Sequence, residues 1–385
     1  MIQSRLLEPR GRGEFVVVVL GATIVSRLLG QLGVAVTSRA DDEGLPLPAL
    51  VRRALALGVV LGAFGTAAMV GLAIASGQVS ASLALVGAPA LIPNVLWQTI
   101  SGVLLGQGRV RLWNVIQLLA PVLSLVFLLV LVWGLDAGTR GAVAGWAAAQ
   151  VLTGVFAVAC ARDLWLPGSW PRFDGAANRI ALLALGMGAV QVVNLISYRA
   201  ELFVLGRESG VAAVGVYSIA MQSVESMWLV PQALATAVTA PAVHARDDGE
   251  AARLVGRASA RALLLAALVA AVVGGAAPFV VPALFGSEFE AAVRPLELLL
   301  PGVVAYAPVT VLVVYLSVRR ERPQLSLAVA VVGMVATIAA ALVLVPGHGA
   351  SGAAVASTAG YVAGGILAWI LFGGLARTYP PSIDR

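Results

Sequence analysis

Apolar residues run through this chain in long blocks with brief polar interruptions. Read in order, the blocks give eleven segments, near 15–37, 52–77, 82–106, 110–134, 141–161, 179–206, 211–243, 258–285, 292–318, 324–346 and 351–375. The hydrocarbon core of a bilayer is about 30 Å thick and takes about 20 apolar residues of helix to cross, so every block is long enough. None alternates strictly between apolar and polar positions. That predicts helices rather than barrel strands, the two structures that satisfy every backbone hydrogen bond in lipid. The expected fold class is an all-α integral membrane protein with about eleven transmembrane helices.

Composition sharpens this picture. Of the 385 residues, 60% are hydrophobic and 11% charged, against roughly 25% charged in soluble domains, which excludes a soluble core-and-surface design. The net charge of +6 raises the question of nucleic acid. But all 25 basic residues are arginines, and they are scattered over short loops as topology signals are, so no nucleic-acid partner is expected. Cys160 is the only cysteine, which leaves no internal disulfide and no cysteine-based metal site. His244 and His348 fall at predicted helix ends without a second ligand at metal spacing. The arginines Arg5, Arg10 and Arg12 ahead of the first block resemble the start of a secretory signal. The block is too long for one, however, and ten more follow.

Orientation follows from arginine bias. With residue 1 outside, seventeen arginines, among them Arg52, Arg53, Arg109, Arg253, Arg257, Arg261, Arg319 and Arg320, fall on inner loops. Six, Arg5, Arg10, Arg12, Arg140, Arg207 and Arg294, fall on outer ones. Arginine favours the cytoplasmic side, which places the C-terminus in the cytoplasm. The chain also repeats itself. Pro93 begins a stretch that passes Gly106-Gln-Gly-Arg-Val-Arg111, a long apolar helix and Gly141-Ala-Val-Ala-Gly145. Pro301 begins a second that passes Arg319-Arg-Glu-Arg322, a long apolar helix and Gly352-Ala-Ala-Val-Ala356. Leu7-Glu-Pro-Arg-Gly-Arg-Gly-Glu-Phe15 and the stretch from Leu205 to Tyr217 are alike as well. Parallel repeats of this kind build transporters with two pseudo-symmetric lobes. The expected domains are an N-terminal lobe of five spans over 1–163, a cytoplasmic interfacial linker over 164–178, and a C-terminal lobe of six spans over 179–385. Five against six implies one helix missing ahead of Met1.

Four patches resemble the oligosaccharide and polysaccharide flippases of the multidrug/oligosaccharidyl-lipid/polysaccharide exporter superfamily. The first is Arg5-Leu-Leu-Glu-Pro-Arg-Gly-Arg-Gly-Glu-Phe15, with Glu8 where the family usually has Gly. The second is Tyr198-Arg-Ala-Glu-Leu-Phe-Val-Leu-Gly206, with Glu201 in place of the usual Asp. The third is Gly215-Val-Tyr-Ser-Ile-Ala220 continuing through Pro231 and Pro241. The fourth combines Leu284-Phe-Gly-Ser-Glu-Phe289, Leu300-Pro-Gly302 and Gly349-Ala-Ser-Gly-Ala-Ala-Val-Ala-Ser357. The resemblance spans essentially the full chain. It implies a flippase that moves a lipid-linked oligosaccharide, a polyprenyl-diphosphate glycan, across the cytoplasmic membrane by alternating access. Membrane lipids and glycan-assembly enzymes are expected as partners.

Such a protein needs cations and hydrogen-bonding groups facing a wet lumen. Arg27 sits near the middle of the first block, where a charge costs several kcal/mol unless it faces water or a partner. Arginine holds phosphate through a planar fork and stays charged. Thr23, Arg27 and Gln31 recur at helical spacing, as do Asn94, Gln98 and Ser101. So do Gln191, Asn194, Tyr198 and Glu201, with Arg199 to one side, and Ser218, Gln222 and Glu225. The expected substrate-binding residues are Arg27, Gln31, Asn94, Gln98, Asn194, Arg199, Glu201, Gln222 and Glu225, on striped helices that enclose one polar cavity. Competing structural roles are an Arg27–Glu225 salt bridge, an ion pair among Arg199, Glu201, Arg207 and Glu208, and amides that only bond helix to helix. Gly58-xxx-Gly62, Gly102-xxx-Gly106 and Gly360-xxx-Gly364 are expected to allow close helix contacts, and the prolines within spans to allow bending. There is no Walker loop and no Ser/His/Asp arrangement, so neither an enzyme nor a cofactor is expected. The alternatives are a cation-coupled drug exporter, which wants a buried acid in the first lobe, and a non-transporting scaffold.

Overall fold

A computed structural model describes residues 2–39, 44–166, 168, 173–197 and 199–377, without the side chains of residues 2–5, Ser76, Asn194, Ser197, Val318 and Pro323. The described residues form helices and connecting turns, with no strand among them. In chain order the helices are α1 (Ile2–Leu29), α2 (Leu32–Arg39), α3 (Leu47–Ser76), α4 (Ala81–Gly87), α5 (Leu91–Gly106), α6 (Val110–Leu128) and α7 (Gly138–Cys160). They continue with α8 (Gly175–Ser197), α9 (Ala200–Glu208), α10 (Gly210–Glu225), α11 (Leu229–Val243), α12 (Asp248–Phe285), α13 (Val293–Val313) and α14 (Pro323–Arg377).

Nine helical stretches among the described residues are long and apolar enough to cross a membrane. One of them runs from Gln324 to Arg377 and holds two of the expected spans, because the backbone turns at Gly349 (φ 52°). Another expected span, 211–243, is assembled from α10, a tight turn over Ser226–Trp228 and α11, none long enough alone. About eleven spans therefore stands. Large apolar side chains point outward, Phe64 at 72% exposure, Phe279 at 77% and Val343 at 76%, as they do on a protein surrounded by hydrocarbon rather than water. The chain is a multi-pass membrane protein.

Two expected spans are broken. The first stops at Leu29 and resumes at Leu32, because α2 and α5 meet backbone to backbone. A Cβ on Gly33 would stand 1.9 Å from the Thr99 carbonyl oxygen, and one on Gly30 2.2 Å from Gln98 Oε1. The sixth stops at Ser197 and resumes at Ala200.

The described residues divide into two compact units, one within Leu6–Leu195 and the other comprising mainly Ile196–Arg385. This boundary falls later than the expected linker at 164–178, whose residues 167 and 169–172 lie outside the described set. The reason is apolar packing. Ala177, Ile180 and Ala184 of α8 are buried in the first unit's core with Leu32, Leu50, Val95, Ile100 and Leu104, so α8 belongs with α1–α7. The second unit is built around Tyr217, Phe289, Leu299, Val303, Leu312 and Tyr315, all fully buried.

Close helix crossings occur in both of the stretches expected to repeat. In the first, α5 crosses α7 where a Cβ on Gly154 would stand 2.7 Å from Pro93. In the second, α13 crosses the latter half of α14 where Gly302 would meet the Thr358 backbone at 2.6 Å and Gly365 the Ala305 carbonyl at 2.9 Å. The three expected Gly-xxx-Gly pairs are close contacts too. Gly106 faces Thr37, Gly62 faces Ile92, and Gly360 faces Thr337 and Gly333.

Several of the arginines assigned to inner loops are tied to acids. Arg53 forks onto Asp174 (2.6 Å), whose carboxylate also caps α8 by accepting from Ala177 N. Arg109 meets Asp163 at 2.6 Å. In the second unit Asp248 holds Arg319 at 2.8 Å and also Arg320. The Arg53 guanidinium first, then the Ala177 amide, holds the Asp174 carboxyl well below the usual carboxylate range.

Candidate functional site

The first unit carries a linked set of amides. Asn94 and Gln98 share one face of α5, and Gln98 donates to Asn94 Oδ1. Asn94 Nδ2 donates to Gln150 Oε1 at 2.8 Å, and Trp97 Nε1 donates to the same oxygen at 3.0 Å. Gln150, on α7, is buried, so its carbonyl is the hub on which both donors depend. Ser101 Oγ and Thr153 Oγ1 are buried without a partner among the described residues. Sequence reasoning found Asn94, Gln98 and Ser101 but missed Gln150 and Trp97. The available signal was one glutamine in the otherwise apolar run Gly145-Trp-Ala-Ala-Ala-Gln150.

Arg27 lies in the last turn of α1, exposed, directly before the break at Gly30, and forms no ion pair or hydrogen bond among the described residues. Its expected stripe changes character. Thr23 Oγ1 is spent on its own helix, on the Val19 carbonyl at 2.7 Å. Gln31 is half-buried in the break itself rather than one turn along a continuous helix.

In the second unit Arg199 Nη2 meets Glu225 Oε1 at 2.5 Å, with both side chains partly exposed. Glu225 is thus paired with Arg199, in place of the Arg27 partnership considered from sequence. The expected stripe from Gln191 to Glu201 is interrupted by the end of α8, and Gln191 belongs to the first unit. The Asn194 side chain and Tyr198 lie outside the described residues. Glu201 departs from the lumen-facing expectation, being 1% exposed inside the second unit. The Tyr217 hydroxyl donates to Glu201 Oε1 at 3.3 Å and lies 3.0 Å from Ser357 Oγ. Glu201 Oε2 has no partner among the described residues. A buried carboxylate is costly unless paired or hydrogen-bonded, so an open oxygen at this depth marks a place that can take a proton or a cation. Glu201, Tyr217 and Ser357 come from three separate sequence patches quoted above, which their distance along the chain concealed.

Gln222 and its neighbours Ser223 and Ser226 edge an open groove of about 440 Å³, walled by Val272, Val280, Leu284 and Leu296. Nearby on the chain, Trp228 packs with Tyr306 and Tyr361 at ring-centroid distances of 6.2 and 5.7 Å. Among the described residues no three His, Cys, Asp or Glu side chains gather as a metal site would need.

No protein-family model matches the chain, and neither does any curated protein. Its fold is nonetheless shared with solved structures. It is similar to a multidrug resistance MATE family transporter of the MOP superfamily in an inward-facing conformation (TM-score 0.78, 18% identity, 98% of this chain and 93% of that one). It is also similar to the lipid II flippase MurJ in an inward closed conformation (TM-score 0.79, 11% identity, 96% and 83%). A third is a MOP superfamily transporter from Pyrococcus furiosus, described as having a binding pocket of reversed polarity that suggests a different function (TM-score 0.65, 18% identity, 96% and 88%).

Proposed function

We propose that this protein is a non-enzymatic flippase that moves a lipid-linked oligosaccharide, a polyprenyl-diphosphate glycan, across the cytoplasmic membrane by alternating access. The observation that carries this reading is Arg27. It is an exposed guanidinium deep within an apolar span, with no acid partner among the described residues. A cation held there without a counter-ion suits an anionic substrate. The amides of Asn94 and Gln98 in the same unit suit sugar hydroxyls. The likeness in fold to MATE transporters and to MurJ, named as a lipid II flippase, supports transport as the activity. The orientation with a cytoplasmic C-terminus and the association with glycan-assembly enzymes belong to the same proposal.

Mass spectrometry of membrane lipids from a strain lacking the gene tests it. Accumulation of a polyprenyl-linked glycan, reversed by re-expression, is the expected result. Retention of cationic dyes with no such lipid would refute it in favour of a drug exporter. One observation favours the second reading in part. Glu201, buried with an open oxygen beside Tyr217 and Ser357, supplies an ionisable group for coupling to a cation or proton. It lies in the second unit, rather than the first where a drug exporter's acid is expected.

A further inference from the structure

The inner-loop arginines are not all alike. Arg53, Arg109, Arg319 and Arg320 are each held by an aspartate. Arg253, Arg257 and Arg261 are exposed and form no ion pair among the described residues. They recur every four residues near the start of α12, where each step advances the helix by roughly one turn, so they form one stripe about 12 Å long.

The same face then turns apolar. Leu264 is 71% exposed, Leu268 62% and Val272 65%. At 3.6 residues per turn, all six lie within an arc of roughly 100°. The opposite face, with Val255, Ala258, Ala262 and Ala266, is buried in the second unit. Glu250 shares the arginine face one turn earlier, but its carboxylate is turned back to accept from Arg246 N at 2.9 Å, while Asp247 accepts from Glu250 N. Asp248 is occupied by Arg319 and Arg320. None of these carboxylates forms an ion pair with the three arginines, and the stripe keeps a net positive charge.

We infer that Arg253, Arg257 and Arg261 form a binding stripe for anionic phospholipid headgroups in the leaflet that this end of α12 enters. Two features select that occupant. The charge is net positive, and it passes directly into a stripe of exposed apolar side chains. A headgroup layer is about 5–8 Å deep on each side of the core, within reach of arginine side chains that can extend along the helix. A phosphate bound there has its acyl chains against Leu264 and Leu268. The inference does not depend on what the protein transports.

The test uses the full chain in nanodiscs containing equal phosphatidylglycerol and phosphatidylcholine, with retained lipids counted by native mass spectrometry. The wild type is expected to retain phosphatidylglycerol preferentially. R257Q should reduce that preference roughly fivefold, and the triple variant R253Q/R257Q/R261Q by about a hundredfold, as follows from attraction of basic residues to an anionic surface. R294Q, on an arginine paired with Glu297 elsewhere in the unit, should leave it unchanged. Equal retention of both lipids by the wild type, or an undiminished preference in whichever of the glutamine variants folds, would overturn the inference. The single variant keeps the test decisive if the triple one fails to fold.

Discussion

Gly33→Ala tests how the first unit is built. In α2, a Cβ on Gly33 would stand 1.9 Å from the Thr99 carbonyl oxygen, 2.8 Å from its carbon and 3.1 Å from Gly102 Cα. These are backbone atoms, which cannot rotate aside. Ordinary contact begins near 3.4 Å, so α2 must lift off α5 by about 1.5 Å. Leu32, Ala35 and Val36, each fully buried, then lose part of their packing. Overpacking of this kind costs about 1–3 kcal/mol or more, against a gain of roughly 0.5–1 kcal/mol from replacing Gly by Ala in a helix. Because backbone atoms cannot yield, the upper cost applies, and the net is a loss of about 2–2.5 kcal/mol, a fall in Tm of roughly 4–10 °C for a unit of this size. Gly71→Ala makes the matched control, since nothing lies within 4 Å of its added Cβ, and it should hold or raise Tm. Thermal unfolding followed by tryptophan fluorescence in one detergent–lipid mixture compares them. A Gly33→Ala protein as stable as the Gly71→Ala protein would refute the backbone contact.

Gln150→Ala should destabilise the first unit by about 1–3 kcal/mol, because Asn94 and Trp97 lose their shared acceptor; unchanged thermal unfolding would remove Gln150 as the hub. Asp174→Asn keeps a side chain able to cap α8 but loses the charge that binds Arg53. Because that carboxyl is held below its ordinary value, its contribution is present above about pH 3.9 and fades as pH falls below it. The Tm gap between wild type and variant should therefore be open at neutral pH and close in acid, and a gap independent of pH would contradict the pairing. Glu201→Gln should abolish stimulation of transport by a sodium or proton gradient while the protein still folds. Persistent stimulation would exclude Glu201 from coupling.

The hydrophobic blocks made the helices legible from sequence, because crossing lipid leaves the backbone little alternative to helix. The breaks were not legible, since they come from tertiary contact. Gly30 and Gly33 read as ordinary small residues until Gln98 and Thr99 are seen against them. Polar spacing along one helix identified Asn94 and Gln98 but said nothing of Gln150 on another. It placed Glu201 on a lumen-facing stripe, whereas the end of α8 at Ser197 interrupts that stripe and leaves Glu201 in a core with Tyr217 and Ser357. Charge counting gave an orientation from the inner arginines. It could not separate those clipped to aspartate, such as Arg53, from those left open, such as Arg257, because the distinction depends on residues far apart in the chain.

The most direct measurement is transbilayer movement of a fluorescent polyprenyl-diphosphate glycan in proteoliposomes, comparing the wild type with Arg27→Gln. Movement is expected with the wild type, and a rate lower by about 10–100-fold in the variant, the worth of a hydrogen bond to a charged group. Equal rates in the two proteins, or a wild type that moves a cationic dye and leaves the glycan in place, would contradict the flippase reading.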